Sequence, residues 1–168
     1  MKYTNTLKLP PRFKPPREVV RSNYVLEVLA PQHNDMDYEA WTSSIDELQG
    51  IFGPTNDWPT KEYTKEQNLE DLERHLREFE QSVAYAYTIL NVERTSCIGC
   101  LYIRPTSATN YDARVDFWFR NSSKNIESHF YEELKSWLGK EWRFQNIAFP
   151  GRNLSWDEYN KLVEKESW

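Results

Sequence analysis

Residues 113–151, ARVDFWFRNSSKNIESHFYEELKSWLGKEWRFQNIAFPG, decide the architecture. ARVDFWFR (113–120) has the aromatic and β-branched content of a buried strand. After the polar stretch NSSKN, the residues Ile126, Phe130, Leu134, Trp137 and Leu138 recur at helical spacing. RFQNIAFPG (143–151) then reads as a second strand. A strand, one helix and another strand make a crossover unit that places the two strands parallel.

The elements before this unit follow from the same patterns. NYVLEVLA (23–30) is a strand that Pro31 ends. Tyr38, Trp41, Ile45, Leu48 and Phe52 predict one helix over 34–52, with Asn34, Asp35 and Asp37 as capping types. GPTNDWPT (53–60) is a loop. A second helix starts near Thr64, where Thr64 and Gln67 have the spacing of a capping box. VAYAYTIL (83–90) and CIGCLYIR (97–104) flank the polar turn NVERTS and predict a hairpin. Ser155 caps a last helix over 155–168. The order is β-α-α-β-β-β-α-β-α, a mixed α/β fold in one domain over residues 23–168. Residues 1–22, with Pro10, Pro11, Pro15 and Pro16, form an extended leader.

Composition narrows the function classes. The leader holds six Lys/Arg and one Glu, whereas residues 23–168 hold 15 basic and 25 acidic residues. An acidic body argues against a nucleic-acid surface and favours cationic partners such as amines. No apolar run reaches the roughly 18 residues needed to span a bilayer, and no secretory h-region opens the chain. The cytoplasm is the default setting. His33, His75 and His129 lack paired metal-ligand spacing, so no metal is expected. Cys97 and Cys100 form a C-x-x-C in a strand, not at the helix N-terminus that activates redox thiols. On a regular strand, residues three apart face opposite sides, unless a bulge at Gly99 shifts the phase.

The element order, together with FGPTNDWP, FEQSVAYAYTIL, CIGCLYI, VDFWFR, WLGKEW and AFPGRNLSW, resembles the GNAT superfamily of acyl-CoA N-acyltransferases, in particular a bacterial subgroup. The resemblance implies acetyl-CoA as co-substrate, bound where the strands 113–120 and 143–151 splay apart. It implies direct transfer to a small-molecule or peptide amine in a ternary complex. A catalytically inactive GNAT-fold binding module is the alternative. Residue by residue, it makes Asp116 the general base, with Asp112 a second choice, and Tyr159 the general acid. Backbone groups at Trp118 and Phe119 polarise the carbonyl. Arg120, Lys124 and Asn125 belong to the pyrophosphate loop, with Asn125 capping the following helix, and Asn153 bonds the pantetheine. Trp58 and Trp41 line the acceptor pocket. The loop RNSSKNIESHF departs from the family in having no glycine, and Glu127 stands where phosphate is expected. Few residues follow AFPGRNLSW, which leaves an edge strand for a second copy to cover in a homodimer.

Overall fold

In a computed structural model, residues 3–163 are described. They form one six-stranded sheet in the order β1-β2-β3-β4-β5-β6. The strands are β1 (Glu18–Val20), β2 (Val25–Val28), β3 (Tyr85–Leu90), β4 (Cys97–Arg104), β5 (Ala113–Phe119) and β6 (Ile147–Ala148). Neighbours from β1 to β5 are antiparallel. β6 lies parallel to β5, joined by the crossover helix α3 (Glu127–Lys140). This is the mixed α/β fold expected from residues 113–151. It carries one strand that the sequence pattern did not reveal: Glu18–Val20 of the leader pairs with β2.

The helices cover both faces. On one, Phe130, Leu134, Trp137 and Leu138 of α3 pack on Val115, Phe117 and Phe119 of β5. Leu7, Leu9 and Phe13 of the leader join that layer. On the other, Trp41 of α1 (Asn34–Thr42) and Leu72 of α2 (Lys65–Glu80) pack on Cys97, Cys100, Tyr102 and Trp118. Thr64 and Gln67 form the reciprocal cap of α2 at 3.1 and 2.8 Å. Ser155 caps α4 (Trp156–Leu162), accepting from the Glu158 amide; the rest of the helix expected to 168 lies outside the described residues.

Two expectations are corrected. The helix over 34–52 stops at Thr42. The hydroxyls of Thr42 and Ser43 bond back to the carbonyls of Tyr38 and Ala40 at 2.6 Å, and Gly50 and Gly53 take positive φ. Residues 43–52 therefore run as successive turns, which suits hydroxyl side chains that compete with helix bonds. The second correction concerns β4. Ile89 pairs with Gly99 but Leu90 pairs with Cys97, so Ile98 is an inserted residue. Beyond the bulge the phase is reversed. Ile98 faces α3, while Cys97 and Cys100 share the opposite face.

Candidate active site

β5 and β6 stay paired for only two steps, Ala113 with Ile147 and Arg114 with Ala148. Then Pro150 and Gly151 turn the chain away, with Gly151 at φ 82°. Asn153 holds this turn, accepting from the Phe149 amide and donating to the Ile147 carbonyl, both at 2.8 Å. The rest of β5 is left with an open backbone edge. Strand alternation divides its peptide groups. The Trp118 carbonyl points at β4, where a Cβ on Gly99 would come within 2.1 Å of it. The Phe117 carbonyl points the other way, into the opening. Phe119 has the same parity as Phe117, so its backbone, not that of Trp118, faces the gap.

The opening is a cleft of about 230 Å³ whose walls include Asp116, Phe117, Lys124, Glu127, Arg152 and Trp156. Arg152 lies across it. Its guanidinium donates to the Phe117 carbonyl at 3.0 Å, sits 3.6 Å from the centre of the Phe117 ring, and approaches Glu127 at 3.4 Å. Residues 121–126 wind as a 3-10 turn directly into α3. Several amides there already have acceptors: Asn121 donates to the Ser44 hydroxyl, Ser123 to the Arg120 carbonyl, and Glu127 to the Lys124 carbonyl. Asn125 is exposed and does not cap α3; Ile126 occupies that position without a side-chain bond. The 3-10 turn leaves no extended residue before the helix for a side chain to cap from. Arg120 is turned onto α1, in a two-point pair with Glu39 at 2.7 and 2.6 Å.

Asp116 is buried and paired with Arg114 Nε at 2.9 Å, each side chain 2% exposed. The Arg114 guanidinium stacks near the rings of Trp156 and Tyr159. The Tyr159 hydroxyl exchanges a 2.8 Å bond with Thr106, and Tyr159 lines neither cavity. Asp112 accepts from the amides of Gln145 and Asn146, so its role is to hold the approach to β6.

A second cavity, about 520 Å³, opens on the α1–α2 side. Phe52, Trp58, Tyr63 and Tyr102 give it aromatic walls, and Asp57, Asp71, Arg74 and Arg104 give it charge. Tyr63 donates to Asp71. Burial pushes the Arg104 guanidinium down to about 10, and it stacks 4.7 Å from the centre of Tyr102. Trp58 lines this cavity and meets the rings of Trp41, Phe52 and Trp118. Trp41 lies beneath, fully buried, donating to Asn68 at 3.1 Å. The two cavities approach each other through neighbouring strands: Tyr102 on the larger wall is in register with Asp116 on the cleft wall.

Of the residues singled out from sequence, the structure brings Asp116 and Lys124 to the cleft and Trp58 to the cavity. It turns the side chains of Trp118, Phe119, Arg120 and Trp41 elsewhere. Arg152, Arg114 and Arg104 went unassigned as site residues in the sequence. Their signal was available for two of them, because Arg104 is the one charge on the strand CIGCLYIR and Arg114 stands two residues from Asp116 on the otherwise apolar ARVDFWF.

Beyond Arg114 the edge of β5 has no partner strand among the described residues, and Lys124 and Arg152 supply positive charge at the mouth of the cleft. Among the described residues no helix is long and apolar enough to cross a membrane. No protein-family model matches the sequence, and no curated protein does. Solved structures do. A ribosomal-protein-S5-alanine acetyltransferase from Vibrio fischeri aligns over 81% of this chain and 75% of its own, with TM-score 0.60 and 13% identity. RimL, a ribosomal L7/L12 alpha-N-protein acetyltransferase in complex with coenzyme A, aligns over 73% and 67%, with TM-score 0.58 and 17% identity. The microcin C7 self-immunity acetyltransferase MccE, in complex with acetyl-CoA and AMP, aligns over 75% and 68%, with TM-score 0.56 and 16% identity. What the chain shares with them at these identities is the architecture, and that architecture is the GNAT fold.

Proposed function

We propose that the chain is an acetyl-CoA-dependent N-acetyltransferase acting on a small-molecule or peptide amine by direct transfer in a ternary complex. The observation that carries this reading is the register of Tyr102 with Asp116, which sets an aromatic, carboxylate-bearing cavity beside a strand-edge cleft. The structural neighbours that bind coenzyme A or acetyl-CoA support the assignment of the cleft.

Acetyl-CoA supplies an activated acetyl thioester. The chain supplies position and charge. Peptide groups of Val115, Phe117 and Phe119 hold the pantetheine arm, and Lys124 with a displaced Arg152 meets the phosphates. Asp57 and Asp71 attract the ammonium form of the acceptor, and the rings of Trp58, Phe52 and Tyr63 hold its body. Asp116 takes the proton from the amine, through water where the acceptor stops short of it, and as the C–S bond breaks the coenzyme A thiolate leaves and takes a proton from water. Tyr159 acts as a positioning residue, since its ring fixes the guanidinium that holds Asp116. Most of the acceleration comes from holding the two substrates together. Free thiols at Cys97 and Cys100 suit a reducing, cytoplasmic compartment.

Calorimetry with acetyl-CoA tests the donor site, and release of free thiol with a panel of amines tests transfer. Binding with Kd in the micromolar range is expected. An absence of heat at millimolar acetyl-CoA would overturn the reading.

A further inference from the structure

The bulge in β4 assembles three groups that acetyl transfer does not use. Cys97 Sγ, Cys100 Sγ and a carboxylate oxygen of Asp37 all lie within 4.8 Å of one another, and all three residues are buried. Cys100 Sγ is 3.2 Å from Asp37 Oδ1. We propose that Asp37, Cys97 and Cys100 form a binding site for a thiophilic divalent ion of the zinc class, clamping α1 to the bulge of β4.

The donor set suits such an ion. Zinc holds thiolate sulfur at about 2.3 Å and carboxylate oxygen at about 2.0–2.2 Å, which places tetrahedral ligand atoms roughly 3.5 Å apart. The cluster is already near that size. Two oxygens are close enough to Cys97 Sγ to offer a fourth donor: the Gly99 carbonyl at 3.2 Å and the Thr88 hydroxyl at 3.5 Å.

The surrounding shell orients the carboxylate as metal ligands are oriented. Asn68 donates to Asp37 Oδ2 at 2.9 Å, while its own oxygen accepts from Trp41 and fixes which way the amide points. That leaves Oδ1 turned to the sulfur. Coordination releases the two thiol protons to water and takes Asp37 as carboxylate, so three anions meet two positive charges. Arg120 stands beside the remaining negative charge. Its Nη1 donates to the Cys97 carbonyl at 3.2 Å, and its buried Nε has no hydrogen-bond partner among the described residues. Asp37 also lines the 520 Å³ cavity, which gives an ion a route in.

Both cysteines are free thiols. On a regular strand three steps span about 10 Å, more than the Cα separation of at most about 6.8 Å that a disulfide spans without distortion. A metal inserts two bonds between the sulfurs and tolerates the longer span.

The test uses the full chain, reduced and stripped of metal by chelator, titrated with Co²⁺. One ion per chain is expected, with a thiolate-to-cobalt charge-transfer band and the strong visible bands of tetrahedral cobalt, both bleached by Zn²⁺. Cys97→Ser and Cys100→Ser should each weaken binding at least tenfold. Asp37→Asn should weaken it while retaining the charge-transfer band. Should a variant not fold, the wild-type spectrum still decides, alongside a rise in its melting temperature with Zn²⁺ but not with Mg²⁺. The site does not exist if wild type shows no thiolate–cobalt band, either as folded protein or after refolding in Co²⁺. A band that survives in Cys97→Ser, or an Asp37→Asn affinity equal to wild type, would likewise overturn it.

Discussion

The guanidinium of Arg152 lies 3.6 Å over the ring of Phe117 and donates to the carbonyl of the same residue at 3.0 Å. One side chain thus covers the peptide group that the open edge of β5 would offer a ligand. Glu127 tethers it at 3.4 Å.

A pantetheine arm must therefore displace Arg152, and the tether sets part of the cost. Glu127→Gln weakens the tether and removes one negative charge from the phosphate approach. Acetyl-CoA affinity is expected to rise about fivefold, on the order of 1 kcal/mol, as suits a partly exposed ion pair. Calorimetry on the variant reads this directly. Unchanged affinity would mean that Arg152 keeps its seat with the donor bound.

Gly99 is required by contact. Its strand neighbour Trp118 places a carbonyl oxygen 2.1 Å from where any Cβ would stand, and the obstacle is backbone. Gly99→Ala must push β4 and β5 apart in the centre of the sheet. A loss of about 3 kcal/mol or more is expected, read as a fall in urea midpoint with an unchanged slope. A variant as stable as wild type would refute the close approach.

The Arg114–Asp116 pair separates stability from chemistry. Asp116→Ala leaves a buried guanidinium without its carboxylate and should cost about 3–5 kcal/mol. Replacing both, as Arg114→Met with Asp116→Leu, removes the two charges together and should recover most of that stability. Acetyl transfer should remain lost in the double variant. If the double variant regains activity with its fold, Asp116 is structural only.

Arg120 holds the Glu39 carboxyl below the usual carboxylate range through the two-point hydrogen bond. A lowered folded pKa contributes stability that is present above the ordinary pKa and is lost as pH falls through the lowered one. Glu39 is 58% exposed, so solvent screens the pair and about 0.5 kcal/mol is expected. Acid unfolding of Glu39→Gln should start from slightly lower stability at pH 7 and converge with wild type as the pH falls through the lowered Glu39 pKa. The difference should shrink in high salt.

The sequence pattern was most legible where a whole element repeats one rule. The stripe Phe130, Leu134, Trp137, Leu138 predicted α3, and Thr64 with Gln67 marked the start of α2. It failed where one residue changes the phase or one side chain chooses its partner. Ile98 is a good strand residue whether or not it is inserted, so alternation could not tell that Cys97 and Cys100 share a face. Asn125 has a capping side chain, but the 3-10 turn around it removes the geometry a cap needs. Arg152 sits in AFPGRNLSW with no periodicity to mark it. Only the position of the Phe117 carbonyl shows what it reaches. Val19 and Val20 follow four prolines, and a three-residue edge strand has too short a pattern to stand out from that context.

That edge strand bears on the leader. Phe13 meets the ring of Trp142 edge to face at 5.3 Å, and Leu7 and Leu9 pack on the same layer. Tyr87 donates to the Pro16 carbonyl at 2.7 Å and Asn5 to the Thr106 carbonyl at 2.8 Å. These contacts span the sheet, and they make the leader a strap over the α3 face. Phe13→Ala removes the aromatic pair and part of its buried area, and should cost about 2 kcal/mol. Deleting residues 1–16 should cost more, because Trp142 and Tyr87 lose their cover together. Thermal melts of both proteins decide the matter. A deletion that melts with wild type would show that residues 17–168 carry the stability alone and that the segment before β1 is free to serve as an arm.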